Sequence, residues 1–299
     1  MSTTQPRIAQ ELSLAPKVTA QTLLDKKRRR QPITALTAYD YPTARLVDEA
    51  GIDLLLVGDS VAMTVLGYDS TLPLTMDEMM HHARAVRRAV RRALLVVDMP
   101  YGSYHASIES ALQNAIRFMK EAGAEAVKLE GGRDRAHLVE QLTRAEIPVV
   151  GHIGLTPQSV HRMGGYKVQG RSLPDLENLL ADAAALEGAG AIALVLEGLP
   201  REVAARITAA AQIPVIGIGA GPECDGQILV FHDLVNLTFA PAAKFVRRFE
   251  DAQAMIRNGL EGFRQAVEQG SFPSDAESYH LPAHVLQELD ALAVSSVEV

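Results

Sequence analysis

Six side chains have the chemistry of a metal-assisted acid–base site: Asp59, Asp98, Lys128, Glu130, His152 and Glu197. Each stands at or just past the end of a short apolar run. Asp59 follows Leu54-Leu-Leu-Val57 and a glycine; Asp98 follows Leu94-Leu-Val-Val97. Separated by one helix and one strand, these two carboxylates come from neighbouring staves of a parallel sheet and could share an oxygen-ligated divalent ion. Two carboxylates plus several waters suit Mg²⁺, which keeps part of its hydration shell and leaves positions for a pair of substrate oxygens. Either aspartate alone could instead cap the loop or helix that follows it.

Lys128 and Glu130 alternate around Leu129, so both face the same side of one strand. Inside a barrel a lysine is costly unless paired or catalytic. The two could form a structural ion pair. In a working site Lys128 would neutralise developing oxyanion charge, and Glu130 would act at the metal directly or through its outer ligands. Glu197 ends the apolar run Ile192-Ala-Leu-Val-Leu196. A carboxylate at such a place is partly desolvated and so a stronger base; a partner for the dipole of the helix opening at Pro200 is the alternative. His152, in Gly151-His-Ile-Gly154, could bind a substrate carboxylate or satisfy a loop. The run Gly217-Ile-Gly-Ala-Gly221 could hold phosphate or merely make a tight turn that lets substrate approach the backbone. Cys224 has no nearby base and reads as structural, and the adjacent His81 and His82 lack the spacing of a helical metal pair.

Strands must deliver these groups, and the pattern predicts them at 33–38, 54–57, 94–97, 126–129, 149–150, 192–196, 214–218 and 227–231. Helical patterns lie between them. A short helix over 20–30, ending in the basic run from Lys26 to Arg30, would close the bottom of a barrel with a solvated end. Gly51 caps a helix over 43–50, and Thr75 with Glu78 makes a capping box for a helix to about 92 whose arginines mostly line a solvated face. Further helices are expected over 107–122, 134–145 and 174–187, from Pro200, and over 242–269, the last closing the ring. The loops at 58–73 and 154–171 are of a length that is more often functional than a spacer. Polar ends on five different strands decide between an open sheet and a closed one. The outer strands of an open sheet would be too far from the switch point to share one pocket. The expected fold is therefore α/β, a (β/α)₈ TIM barrel. Residues 1–20 read as a flexible N-terminal arm, 21–280 as the single barrel domain and 281–299 as a C-terminal extension. In that extension Val285, Leu286, Leu289 and Leu292 form a helical stripe that could dock on a neighbouring subunit.

Composition narrows the function classes. The chain has 299 residues, 47% of them hydrophobic and 22% charged, enough to bury a large core. A net charge of -7 argues against a nucleic-acid partner, which needs clustered basic surface. One cysteine permits no intrachain disulfide, and no apolar run approaches the ~20 residues that span a bilayer. A cytoplasmic protein with no membrane partner is expected.

Long motifs in order carry a resemblance: Thr37-Ala-Tyr-Asp-Tyr41, Val57-Gly-Asp-Ser60, Asp69-Ser-Thr-Leu-Pro73, Val127-Lys-Leu-Glu-Gly-Gly132, Gly151-His-Ile-Gly-Leu-Thr-Pro-Gln-Ser159, Gly164-Gly-Tyr-Lys-Val-Gln-Gly-Arg171 and Ile216-Gly-Ile-Gly-Ala-Gly221. Over residues 20–280 the chain resembles the ketopantoate (3-methyl-2-oxobutanoate) hydroxymethyltransferase family. The resemblance implies a barrel of the phosphoenolpyruvate mutase/isocitrate lyase superfamily and a homo-oligomer, commonly a decamer. It also implies transfer of a one-carbon unit from 5,10-methylenetetrahydrofolate to an α-keto acid, 3-methyl-2-oxobutanoate, giving 2-dehydropantoate for pantothenate synthesis. By position in the motifs, Asp59 and Asp98 match magnesium ligands and Glu130 an acid close to the metal. Ser60, Lys128 and His152 match substrate contacts, and Glu197 matches the base. Folate is expected in the mouth made by the βα loops, with no contacting residue identified. Two stretches depart from the family pattern, Ser60-Val-Ala-Met63 and Gly221-Pro-Glu-Cys-Asp-Gly226, and these could alter packing on the folate side rather than the metal site.

Overall fold

Alternation along each strand decides which side chains reach the axis of a barrel and which face its helices. The computed structural model describes the backbone of residues 16–295 and the side chains of residues 16–289. Its strands are β1 (Ile33–Thr37), β2 (Leu54–Val57), β3 (Leu94–Asp98), β4 (Ala126–Glu130), β5 (Val149–Gly154), β6 (Ala193–Glu197), β7 (Val215–Ile218) and β8 (Gly226–Leu229). They pair in chain order, and β8 closes on β1 in parallel register, so the sheet has no edge. The expected (β/α)₈ barrel is the fold.

Two buried clusters follow from the period of two. Ile33, Ala35, Leu54, Leu56, Leu94, Val96, Ala126, Val150, Ala193, Val195, Ile216 and Ile228 fill the interior. The intervening Leu55, Val57, Leu95, Val97, Val127, Leu129 and Leu194 face outward onto the helices. The helices packed on the sheet present matching stripes: Ile108–Glu121, capped by Ser107, buries Ala111, Ala115 and Phe118. The capping box of Thr75 and Glu78 opens the helix Met76–Ala89 as expected. Counting on by twos from the apolar interior, the next inward positions are Thr37, Asp98, Lys128 with Glu130, His152 and Glu197. The upper layer of the barrel is therefore polar because the strands run one step past their apolar residues.

The lower end is closed by the helix Ala20–Arg28. Its Leu23 is fully buried and joins the interior cluster with Val18, a burial that stabilises by about 1.5–3 kcal/mol. Part of the basic run expected to be solvated instead anchors this plug. Lys26 pairs with Asp53 and Lys27 with Asp225 at 2.6 Å. Arg92, expected on a solvated face, donates to the Gly51 and Ile52 carbonyls at 2.9 Å and to Asp53 at 3.1 Å.

Other expectations shift. The eighth strand starts at Gly226 and ends at Leu229, because residues 231–234 coil into a single helical turn, Phe231–Leu234. Asp40 caps the helix Tyr41–Glu49, accepting from the Thr43 N–H at 2.8 Å. Residues 242–251 are not helical, and the helix Ala252–Glu268 starts on the side chain of Asp251. The chain divides into two compact units, one ending at Phe249 and one beginning at Glu250. Within the second, a helix covers Ala283–Ser295. Of the features expected at the termini, residues 1–15 of the arm and the side chain of Leu292 lie outside the described residues. Among the described residues, no helix is long and apolar enough to cross a membrane.

Candidate active site

The strand register brings the polar ends together. Asp98 lies opposite Lys128, Glu130 opposite His152, and Gly154 opposite Glu197. Asp59 and Ser60 follow β2 in the turn that leads into the short helix Val61–Thr64. All seven predicted residues line one cavity of about 340 Å³ at the C-terminal end of the barrel. Its polar floor lies beneath apolar walls that include Met63, Leu155, Val195, Ile218 and Phe245. Gly58 leaves room for the floor, since a Cβ there would come within 3.0 Å of Ser60 Oγ and 3.5 Å of Asp98 Oδ2.

Negative charge is in excess on this floor. Asp59, Asp98 and Glu130 are buried together, and among the described residues the cationic partners beside them are the ammonium of Lys128 and the ring of His152. The Asp59 N–H donates to Asp98 Oδ2 at 2.9 Å, and Lys128 Nζ lies 3.0 Å from Asp98 Oδ1. Burial, then repulsion from Asp98 and Glu130, pushes the Asp59 carboxyl up to about 8. Asp98 is also raised, by burial, against the opposing pull of Lys128 and the Asp59 N–H. Burial would lower the Lys128 ammonium, but attraction to Asp98, Asp59 and Glu130 outweighs it and the net direction is up. His152 Nδ1 lies 3.2 Å from Lys128 Nζ and 3.5 Å from Glu130 Oε1, and Nε2 lies 3.3 Å from Glu197 Oε2. Burial and Lys128 favour its neutral ring, the two glutamates favour the imidazolium, and the glutamates prevail, moving it up to about 9.

A divalent cation fits this donor set. Asp98 Oδ1 and Glu130 Oε1 are buried without a hydrogen bond, although Asp98 Oδ1 has the Lys128 charge beside it. Hard carboxylate oxygens short of positive charge are what Mg²⁺ takes up. Among the described residues no three His, Cys, Asp or Glu side chains converge as a ready-made metal cage. A site with two protein carboxylates, completed by water and substrate oxygens, meets both facts; Glu130, whose Oε2 already accepts from the Gln158 N–H at 2.9 Å, sits behind it.

Three participants escaped sequence reasoning. Gln158 is buried and donates from Nε2 to Asp59 Oδ2 at 2.8 Å. Tyr104 donates to Gln158 Oε1 at 2.6 Å. Tyr39 shares a 2.7 Å hydrogen bond with Ser60 Oγ, and burial holds its phenol protonated, pushed up to about 12. Only membership of long motifs marked Gln158 and Tyr39; nothing local marked Tyr104. Other candidates fall away from the site. Phe245 packs on Gly219, where a Cβ would come within 2.5 Å of its ring, so the middle of the glycine run is covered by an aromatic side chain. His82 Nδ1 donates to the Tyr39 carbonyl at 2.7 Å, and burial raises the Cys224 thiol.

Comparison with known proteins identifies the family. The profile of the ketopantoate hydroxymethyltransferase family matches residues 17–275. A 3-methyl-2-oxobutanoate hydroxymethyltransferase of Koribacter versatilis (strain Ellin345) is 68% identical over 266 residues, 89% of this chain and 90% of that protein. Its counterpart in Geotalea daltonii (strain DSM 22248 / JCM 15807 / FRC-32) is 53% identical, over 87% of this chain and 99% of the relative. Among solved structures, a phosphonopyruvate hydrolase in complex with oxalate and Mg²⁺ superposes with a TM-score of 0.58 at 14% identity, covering 94% of this chain and 99% of that one. A 2,3-dimethylmalate lyase, a phosphoenolpyruvate mutase/isocitrate lyase superfamily member, gives 0.56 at 18% identity, with 94% and 98% coverage. These two likenesses show the shared barrel fold, and the sequence relatives show the rest: the chain is an enzyme that transfers a hydroxymethyl group, and it belongs to the ketopantoate hydroxymethyltransferase family.

Proposed function

We propose that the enzyme transfers the one-carbon unit of 5,10-methylenetetrahydrofolate to 3-methyl-2-oxobutanoate, giving 2-dehydropantoate for pantothenate synthesis. The observation that carries this is the division of labour on the cavity floor. Asp59, crowded by the Asp98 and Glu130 carboxylates, and Asp98, whose Oδ1 has no hydrogen bond, stand on one side, and the carboxylate of Glu197 stands on the other, 17% exposed and against His152. Asp59 and Asp98 would hold Mg²⁺, with Glu130 acting through its outer ligands. When bound, such an ion supplies Lewis-acid polarisation to an α-keto acid, which acidifies the proton on C3.

Glu197 is the base for that proton. His152 Nε2, 3.3 Å from Glu197 Oε2, orients the carboxylate. Lys128 stabilises the negative charge that develops on the keto oxygen, a role for which its retained proton suits it. Ser60, braced by Tyr39, donates to the substrate carboxylate. The nucleophilic C3 then bonds to the methylene carbon of the carrier. One carbon–nitrogen bond of the methylene bridge breaks as the new carbon–carbon bond forms and the second breaks as water supplies the hydroxyl oxygen; the proton taken from C3 and the one left by water end on the two nitrogens, leaving tetrahydrofolate. The apolar walls suit a branched aliphatic side chain and keep water from the carbanionic carbon.

Supplying the purified enzyme with both substrates and Mg²⁺ should yield 2-dehydropantoate and tetrahydrofolate in equal amounts. Cleavage of a C–C or C–P bond beside a keto acid, with no hydroxymethyl product, would assign the barrel to another reaction.

A further inference from the structure

Gln158 makes more of the site than any side chain with no acid or base of its own. It follows Pro157, which opens the one-turn segment Pro157–Ser159 after β5. From there its backbone N–H donates to Glu130 Oε2 at 2.9 Å. Its side-chain nitrogen donates twice, to Asp59 Oδ2 at 2.8 Å and to the Met99 carbonyl at 3.0 Å. Its side-chain oxygen accepts from the Tyr104 hydroxyl at 2.6 Å, and that hydroxyl in turn accepts from the Glu130 N–H at 3.3 Å. Every donor and acceptor of the amide has one partner of the right kind. Rotating it by half a turn would set its oxygen against a carboxylate and a carbonyl, so one orientation is fixed.

Granted that Asp59 holds the divalent ion, as proposed above, we infer that Gln158 is a positioning residue: locked by Tyr104, its amide binds Asp59 Oδ2 and turns Oδ1 toward the cation, while its backbone holds Glu130 behind. Asp59 needs such a brace because it lies beyond the end of β2, in a turn, and no strand fixes its rotamer. A neutral donor also suits this place, since it holds the carboxylate without competing with the metal for its charge. Tyr104 is itself fixed by the Arg135 guanidinium, 5.3 Å from its ring centre.

The test is a calorimetric titration of Mg²⁺ into the full chain, with no keto acid present, beside the thermal midpoint of each metal-free variant. Gln158→Met keeps the length and removes the donor. It should fold and bind Mg²⁺ about 10- to 100-fold more weakly, as loss of a partner that orients a metal ligand does. Tyr104→Phe leaves the amide oxygen without its donor and so loosens the side chain; it should weaken binding by a smaller factor with its metal-free midpoint retained, which a purely structural role would not produce. Mg²⁺ affinity equal to the parent's in Gln158→Met, or in Tyr104→Phe should the first variant not fold, overturns the inference. Asp59→Ala in the same titration separates the two levels. Normal Mg²⁺ binding there removes the metal site itself, whereas lost binding there with an unchanged Gln158→Met removes only the role of Gln158.

Discussion

Strand β2 has an aspartate near each end, and the two live in opposite electrostatic worlds. Asp53, just before the strand, is buried, yet it is met by Lys26, by Arg92 at 3.1 Å and by the Thr34 N–H at 3.0 Å. Burial pushes its carboxyl up, but those partners outweigh it and the net direction is down. Asp59, just past the strand, is equally buried and has two carboxylates for neighbours, and it moves up to about 8. One end of the barrel satisfies its charges and is held shut. The other leaves them unsatisfied, a shortfall that the proposed cation would relieve.

Glu197→Gln should break the upper end alone. Exchange of the substrate C3 proton with solvent should fall by about 100- to 10,000-fold, with Mg²⁺ binding and the thermal midpoint preserved. Undiminished exchange would remove Glu197 from the role of base.

Asp53→Ala should do the reverse. It leaves Lys26 and Arg92 facing each other without their shared counter-ion, so denaturant unfolding should show a loss of about 3 kcal/mol. That is the low end for a broken buried pair, because both cations retain some contact with water. Turnover per folded molecule should be unchanged; a stability loss within error would mean that the plug does not depend on this pair.

Asp59→Asn is expected to carry the opposite sign. It removes a carboxyl that in the metal-free fold must either take up a proton or stay buried as an uncompensated charge, so the metal-free chain should gain on the order of 1 kcal/mol while losing its Mg²⁺ response. The same cause sets the pH profile of the parent. A carboxyl near 4 when unfolded and about 8 when folded holds an extra proton in the native state over that interval. Metal-free stability from Asp59 therefore falls as pH rises from about 4 to about 8. His152 adds a contribution present below about 6.5 and lost as pH rises to about 9. Asp53 acts on the acid side, its contribution present above the ordinary carboxyl value and lost as pH drops below it. Saturating Mg²⁺ should flatten the fall at rising pH by keeping Asp59 ionised. Stability curves at several pH values, with and without Mg²⁺, check this. An equal Mg²⁺ stabilisation at pH 6 and pH 8 would break the contrast between the two aspartates.

The same contrast marks the limit of reading along the chain. Asp53 and Asp59 look alike in sequence, each flanking one apolar run, and what separates them is the arrival of Lys26 from an N-terminal helix and of Asp98 and Glu130 from later strands. By itself the sequence determined the ring of strands, because apolar runs of a strand's length alternate with amphipathic helices, and it determined the polar upper layer. A period of two fixes that Asp98, Lys128, Glu130, His152 and Glu197 face inward once their strands are placed. The helix expected over 242–269 begins only at Ala252, because the preceding stretch is held by contacts of its own: Phe245 packs on Gly219, and the Phe249 N–H donates to the Leu234 carbonyl at 2.8 Å. Only the tertiary structure decided which charges are compensated and which polar side chains hold them. Gln158 and Tyr104 have no signature of their own, since a neutral amide and a phenol acquire a role only through the groups that reach them across 99 and 54 residues of chain.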